Sequence, residues 1–398
     1  MPTLRGIRYR LSTFLHAAAT QLFEIPGGKS FLDIGLDKLP PSAPRALIVY
    51  VAHAIPYYIA GQLQQAPMLN EHAMYWEIAE MVRQLTERGY VVDFYDTKCT
   101  KSISWTRYAV AFVQNARLQE CPLQLAVKKV FYCTENHWAF QNLAELTRLH
   151  AFHARTGIWV APERQTPVRF SDEHADFITS FGTPFQQRLY HSRPQRHLLN
   201  ISVVHQPAYA PKDIAKSRPN FIWMGSQGAI LKGLDLAVEA FIQMPEATLY
   251  LAGNLERETR LWQWLKPLLA QHANLRYLGW MDVASPEFAK VATRCIGQVY
   301  PSASEGGPGT VAQLLHFGLL PVVTRAAAVR GAHLGFEIES EEPAVIIEDL
   351  VRHVRAIRSL PQPELAARAE ACVAFAREVH TRPAYSASFA ALLNQLGL

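Results

Sequence analysis

Two glycine-containing loops carry the residue types that could do chemistry. The first, Gly225-Ser226-Gln227-Gly228, follows a short apolar run and leads into Lys232-Gly233-Leu234-Asp235. Glycines between a strand and a helix let backbone N–H groups approach an anion at the helix N-terminus. A lysine in that turn adds a point charge for phosphate oxygens. The second loop, Pro301-Ser302-Ala303-Ser304-Glu305-Gly306-Gly307-Pro308-Gly309-Thr310, also joins a strand to a helix. Gly306, Gly307 and Gly309 let main chain crowd against a ligand. Glu305 falls at the strand's carboxyl end, where α/β sheets bind their ligands, and a carboxylate there can accept two sugar hydroxyls at once. Taken singly, each loop also reads as an ordinary turn, with a solvated lysine in the first and a capping carboxylate in the second. The first has neither the dinucleotide G-x-G-x-x-G nor the Walker spacing.

The elements around these loops alternate. In the first half, Ala46 to Val51 reads as a buried parallel strand and Glu71 to Glu87 as a helix with Ile78, Met81, Val82 and Leu85 on one face. Gly89 closes that helix and Val91 to Tyr95 is the next strand, which completes a βαβ unit and implies a parallel sheet. Val127 to Cys133, Ile158 to Val160 and Asp176 to Ser180 are further strands, and Trp138 to Arg155 a helix. Pro207, Pro211 and Pro219, with Lys212 and Lys216 between them, mark a linker. A second α/β series follows, from a strand at Phe221 to Met224 to one at Leu320 to Thr324, and the chain closes with three helical patterns. The expected organisation is a Rossmann-like domain over residues 1–205, a linker over 206–219, and a second Rossmann-like domain over 220–379. A last helix over 380–398 would pack back on the first domain.

Taken together the loops are far more specific. The order G-S-x-G, K-G-L-D, L-A-G-N (Leu251 to Asn254), N-L-R-Y-L-G (Asn274 to Gly279), P-S-x-S-E-G and F-G-L-L-P-V-V-T (Phe317 to Thr324) resembles the retaining GT-B glycosyltransferases of family four. The resemblance is strong from Phe221 to Gly331 and looser from Ala46 to Tyr190. It implies two doubly wound parallel-sheet domains around a cleft, and transfer of a sugar from a UDP- or GDP-sugar to a glycan or lipid-linked acceptor with retention, with no cofactor or metal. On that resemblance Lys232 contacts the donor diphosphate and Glu305 the transferred sugar. Gly225, Ser226, Gln227, Gly228, Ser304, Gly306, Gly307, Gly309 and Thr310 line the donor, while Gly279 and Trp280 flank the base. His137, opening a helix in Cys133-Thr134-Glu135-Asn136-His137-Trp138, is the candidate beside the transferred sugar, with Asn142 and Glu145 weaker candidates on the same helix. His53, Tyr57, Asn70 and Glu71 are the candidates on the acceptor side.

Two positions depart from the family's pattern. Gln227 stands where the family has Arg, and Gln313 where it has a second Glu for the ribose. Gln can still hydrogen-bond a ribose, but the lost Arg is a bidentate phosphate clamp that Lys does not replace equivalently. Arg257, Arg260 and Arg325 are the candidates to stand in for it. The departures also admit a second reading, a non-catalytic relative that binds a nucleotide sugar or scaffolds glycan synthesis.

Composition bounds the rest. Of 398 residues 49% are hydrophobic and 18% charged, enough for two cores. The net charge of +5 suits an anionic small molecule or a membrane surface and is weak for a nucleic-acid binder. Five scattered cysteines without a C-x-x-C pair point away from a disulfide framework or structural zinc and toward a reducing, cytoplasmic setting. No apolar run approaches the roughly 18 residues of a spanning helix. The N-terminal segment, with Arg5, Arg8 and Arg10 before Phe14 and Leu15, reads as a simple helix or as an amphipathic segment for peripheral contact with the inner face of a membrane.

Overall fold

The structure is a computed structural model that describes residues 28–190 and 195–398. The basic N-terminal segment therefore lies outside the described residues. The first sheet contains β1 (Ser30–Ile34), β2 (Arg45–Tyr50), β3 (Val91–Asp96), β4 (Val110–Val113), β5 (Lys128–Phe131), β6 (Phe177–Ser180) and β7 (Gln195–Leu198), in the order β1-β3-β2-β4-β5-β6-β7. Every pair is parallel except β1 with β3. The second contains β8 (Asn220–Met224), β9 (Thr248–Ala252), β10 (Leu275–Gly279), β11 (Gly297–Tyr300), β12 (Leu320–Thr324) and β13 (Phe336–Ile338), all parallel, in the order β10-β9-β8-β11-β12-β13.

The longer helices are α1 (Met74–Glu87), α2 (Trp138–Thr156), α3 (Leu234–Ile242), α4 (Thr259–Gln271), α5 (Pro286–Thr293), α6 (Gly309–Leu315), α7 (Pro343–Ser359), α8 (Gln362–Val379) and α9 (Arg382–Gln395). The strand β2 is buried on both faces, as a central parallel strand must be. On α1, Ile78, Met81, Val82 and Leu85 are all fully buried, the stripe expected from their spacing.

Two helices tie the halves together. α9, the last helix in sequence, belongs to the first core: Tyr385, Phe389, Leu392 and Leu393 pack with Ile48, Phe94 and Phe112. Its Tyr385 hydroxyl lies 2.9 Å from that of Tyr132. In the opposite direction, α2 follows β5 of the first sheet yet places Leu149 and Phe152 in the core of the second. Phe152 meets Trp264 of α4 edge-on at 5.2 Å between centroids, and Arg155 pairs with Asp235 and Glu239 of α3.

The structure differs from the sequence reading in the segment after α2. Ile158 to Val160, expected as a strand, pairs with no sheet among the described residues. Gly157, at φ 73°, ends α2, and Trp159 stacks on His153 at 4.0 Å. The chain from 158 to 170 then runs as an irregular strap across the second domain's first loop. Four strands carried no readable signal: β1, none of whose residues is buried, the four-residue β4, the polar edge strand β7 and the three-residue edge strand β13.

Candidate functional site

Strands β8 and β11 are neighbours, and the direction of winding reverses between them, with β9 and β10 on one side and β12 and β13 on the other. Loops leaving such a pair go to opposite faces and open a crevice at the carboxyl edge. Both glycine loops stand there. They touch at Gly233, whose φ is 72° and where a Cβ would come within 2.4 Å of the Pro301 carbonyl oxygen, so only glycine fits.

A buried aromatic floor joins the two loops. The Trp223 indole N–H donates to the Lys232 carbonyl at 3.1 Å, and its ring stacks with Tyr300 at 6.4 Å. The Tyr300 hydroxyl in turn donates to Glu305 Oε1 at 2.7 Å, leaving Oε2 for other donors. Lys232 Nζ donates to Ser226 Oγ at 2.8 Å and to the Gln227 carbonyl at 2.9 Å. An ammonium has three N–H donors, so one remains. Burial pushes Lys232 down to about 8; the Glu305 charge opposes this, and the positive charge of Arg164 adds to it.

The first loop's amides are arranged otherwise than expected. Gly228 N–H and Ala229 N–H donate to Glu258 Oε1 at 2.8 and 3.1 Å, so a protein carboxylate, itself buried, takes the two N–H groups of this turn. Gln227 donates to Glu163. The glycines of the second loop make room for the first domain's main chain. A Cβ on Gly306 would stand 2.4 Å from the Thr134 carbonyl oxygen, and one on Gly307 would stand 3.0 Å from Phe181. Asn136 Nδ2 donates across the same junction to Ser304 Oγ at 2.8 Å.

Gln313 is buried and spent on the main chain just before the linker: its Nε2 donates to the His205 carbonyl at 2.6 Å, and its Oε1 accepts from the His205 N–H at 3.0 Å. Gly309 opens α6, with Thr310 next. Gly279, at φ 73°, ends β10, and nothing crowds it; Trp280 beside it is 44% exposed.

On the first domain, His137 caps α2, its Nδ1 accepting from the Ala139 N–H at 3.3 Å, and its ring meets Tyr190 edge-on. His53 stacks on Tyr75, and Tyr57 packs on Met68 and Leu69. Asn70 and Glu71 are exposed. The side chain next to them is the one that faces the two loops. His72 is crowded by protein yet keeps an open edge, as in a concave surface. That crowding pushes its imidazole down, helped by Arg164 and Lys232 and opposed by Glu305.

Arg164, His72, Asn136 and Glu258 were not singled out from the sequence. Asn136 and His72 each stand one residue from a named candidate. Arg164 and Glu258 had no signal, because nothing local says that a strap or the start of α4 reaches the Gly225 loop. Of the cations offered in place of Gln227, Arg325 is paired with Glu339 at 2.7 Å and lies over Phe185; Arg257 and Arg260 are exposed at the start of α4.

Among the described residues no cluster of His, Cys, Asp and Glu could hold a metal ion, and no helix is long and apolar enough to cross a membrane. The five cysteines are buried and free.

No family model matches the chain, and no curated protein matches it in sequence. Solved structures do. A sucrose-phosphate synthase from Thermosynechococcus elongatus aligns at TM-score 0.55 and 12% identity, over 88% of this chain and 99% of that one. HepE from Anabaena, solved with UDP and glucose, aligns at 0.53 and 12%, over 88% and 100%. WaaG, a glycosyltransferase of lipopolysaccharide biosynthesis, aligns at 0.51 and 14%, over 87% and 98%. The chain spans 56% of the length of another match, the pneumococcal O-GlcNAc transferase GtfA. At these identities the likeness is one of fold: two mostly parallel α/β sheets in two domains, which is the GT-B architecture.

Proposed function

We propose that this protein is a glycosyltransferase that moves a sugar from a UDP- or GDP-sugar to a glycan or lipid-linked acceptor, with retention of configuration. The observation that carries the reading is the coupling of Lys232 to Glu305 through the Trp223–Tyr300 floor at the switch point of the second sheet. The fold and the motif order support it, and HepE, which shares the fold, was solved with UDP-glucose. A cytoplasmic setting with peripheral membrane contact belongs to the same proposal.

In this reading the third N–H of Lys232 meets the departing diphosphate, and its charge stabilises the leaving group as the sugar becomes cation-like. Glu305 Oε2 accepts hydroxyls of the transferred sugar while Tyr300 holds the other oxygen still. The acceptor hydroxyl arrives on the face the diphosphate leaves, so the diphosphate itself takes the proton. His137 and His72 are the first domain's imidazoles near the sugar and acceptor. Packing of Gly306 on Thr134 keeps water from the junction, which protects the donor from hydrolysis.

The engagement of Gln227 with Glu163 and of Gln313 with His205 supports the second reading, a protein that binds nucleotide sugar without turning it over. Thermal shift and donor hydrolysis across a panel of UDP- and GDP-sugars separate the two. The transferase reading expects one donor to raise the melting temperature and to be hydrolysed or transferred. Glu305→Ala should then lose about 100-fold in turnover while keeping nucleotide binding, and Lys232→Ala should lose both. Binding without turnover supports the second reading, and the absence of both sinks the nucleotide-sugar proposal.

A further inference from the structure

The sequence leaves a cation missing beside Lys232, and the tertiary structure brings one there from the other domain. The strap after α2 is clipped to that helix by buried polar groups. Glu145, 2% exposed, accepts the N–H groups of Glu163 and Arg164 at 2.8 Å each, and its other oxygen accepts Gln165 Nε2 at 2.7 Å. Gln141 donates to the Arg164 carbonyl at 3.1 Å. Asn142 accepts the Thr166 N–H at 2.7 Å and donates to its carbonyl at 2.9 Å. Six hydrogen bonds on four consecutive residues hold this piece of irregular chain in one conformation.

The strap delivers Arg164 onto the glycine loop. A Cβ built on Gly228 would lie 2.3 Å from Arg164 Cγ and 3.1 Å from its Cδ, so the arginine stem lies across the space that glycine leaves open. The guanidinium's charge reaches Lys232, His72 and Tyr300. Arg164 is exposed, and among the described residues its guanidinium makes no hydrogen bond or ion pair. The nearby carboxylates are engaged elsewhere, Glu258 with the Gly228 and Ala229 amides and Glu305 with Tyr300. The charge of Arg164 thus opposes that of Lys232, and an anion placed between them removes that repulsion.

We propose that Arg164 is the second cation of the diphosphate site, supplied by the first domain opposite Lys232 of the second, so that a bound diphosphate bridges the two domains. A guanidinium offers the planar pair of donors that suits phosphate oxygens. This rests on the nucleotide-sugar reading above. It assigns to the strap the role that the motif pattern would give to position 227, and it accounts for Gln227 being free to bind Glu163.

The test measures dissociation constants of UDP, UMP and uridine, and of GDP, GMP and guanosine, for the full chain by calorimetry. It compares the wild type with Arg164→Ala and Arg164→Lys, each checked for an unchanged melting temperature without ligand. The proposal expects Arg164→Ala to weaken the diphosphate of the preferred base by about tenfold or more, the monophosphate less, and the nucleoside hardly at all, with Arg164→Lys in between. A purely structural arginine would weaken all three alike or none. If the wild type binds UDP or GDP and Arg164→Ala binds it within about twofold, or if the loss does not grow with phosphate number, the Arg164 assignment is wrong and the donor site stands. If the wild type binds no nucleotide or nucleotide sugar, the functional reading and this assignment fall together.

Discussion

The Tyr300 hydroxyl donates to Glu305 Oε1 across 2.7 Å, from a ring that is itself buried at the end of β11 and stacked on Trp223. A carboxylate on a glycine-rich loop has many rotamers, and this bond selects one. Tyr300→Phe removes the donor and little else. The expected result is a stability loss of about 1 kcal/mol and a fall in donor turnover of about tenfold, read from urea denaturation and from donor hydrolysis. Unchanged turnover would mean that Glu305 is oriented by something other than Tyr300.

Lys232 gives the site a pH dependence. With its ammonium pushed down to about 8 by burial, the charged form that attracts a diphosphate is complete below that pH and is lost above it. UDP or GDP affinity should therefore hold steady from pH 6 to about 7.5 and weaken as pH rises through about 8. Lys232→Met should bind weakly at every pH, without that break. Calorimetry over the range reads both profiles.

Glu77 on α1 sets a pH dependence of stability. It is buried where α1 meets the chain leaving β7, accepting from the Ser202 N–H at 2.8 Å and the Ser202 hydroxyl at 2.7 Å. Burial pushes its carboxyl up to about 7, against those hydrogen bonds. An unfolded Glu titrates near 4.3, so between these values the folded protein holds a proton that the unfolded chain has released. That contribution is complete below about pH 4 and declines as pH rises through about 7, by roughly 4 kcal/mol at most. Glu77→Gln should lack this slope when urea midpoints are compared at pH 4.5 and 7.5; parallel slopes would show that another group carries it.

Gly306 tests the contact between domains. A methyl there meets the Thr134 carbonyl and the Glu135 backbone, neither of which can rotate away. Gly306→Ala should cost about 1–3 kcal/mol, or separate the domains with a measurable rise in the radius of gyration by small-angle scattering. A variant as stable and compact as the wild type would mean that the junction yields easily.

Much of the second domain could be read from the chain because its signals are local. The spans of β9 and β12 coincide with apolar runs, and the order of glycine loops, Lys232 and Glu305 lies within one continuous stretch. The first sheet was less legible: β4 is too short and β7 too polar to stand out from loop, and each forms because a neighbour supplies its hydrogen bonds. The same limit explains Gln313, whose type suited a ribose but whose position puts it against His205.

The sequence alone thus determined that two parallel α/β units exist and that Lys232 and Glu305 lie in loops between a strand and a helix, since periodicity and glycine punctuation act over a few residues. Only the tertiary structure decided what those residues face. α2 leaves the first sheet to pack Phe152 into the second core, α9 returns from the far end of the chain to pack Phe389 into the first, and the strap held by Glu145 lays Arg164 on Gly228. These contacts join residues far apart in the chain through burial and buried hydrogen bonds, and no local pattern encodes which distant surface a segment will meet.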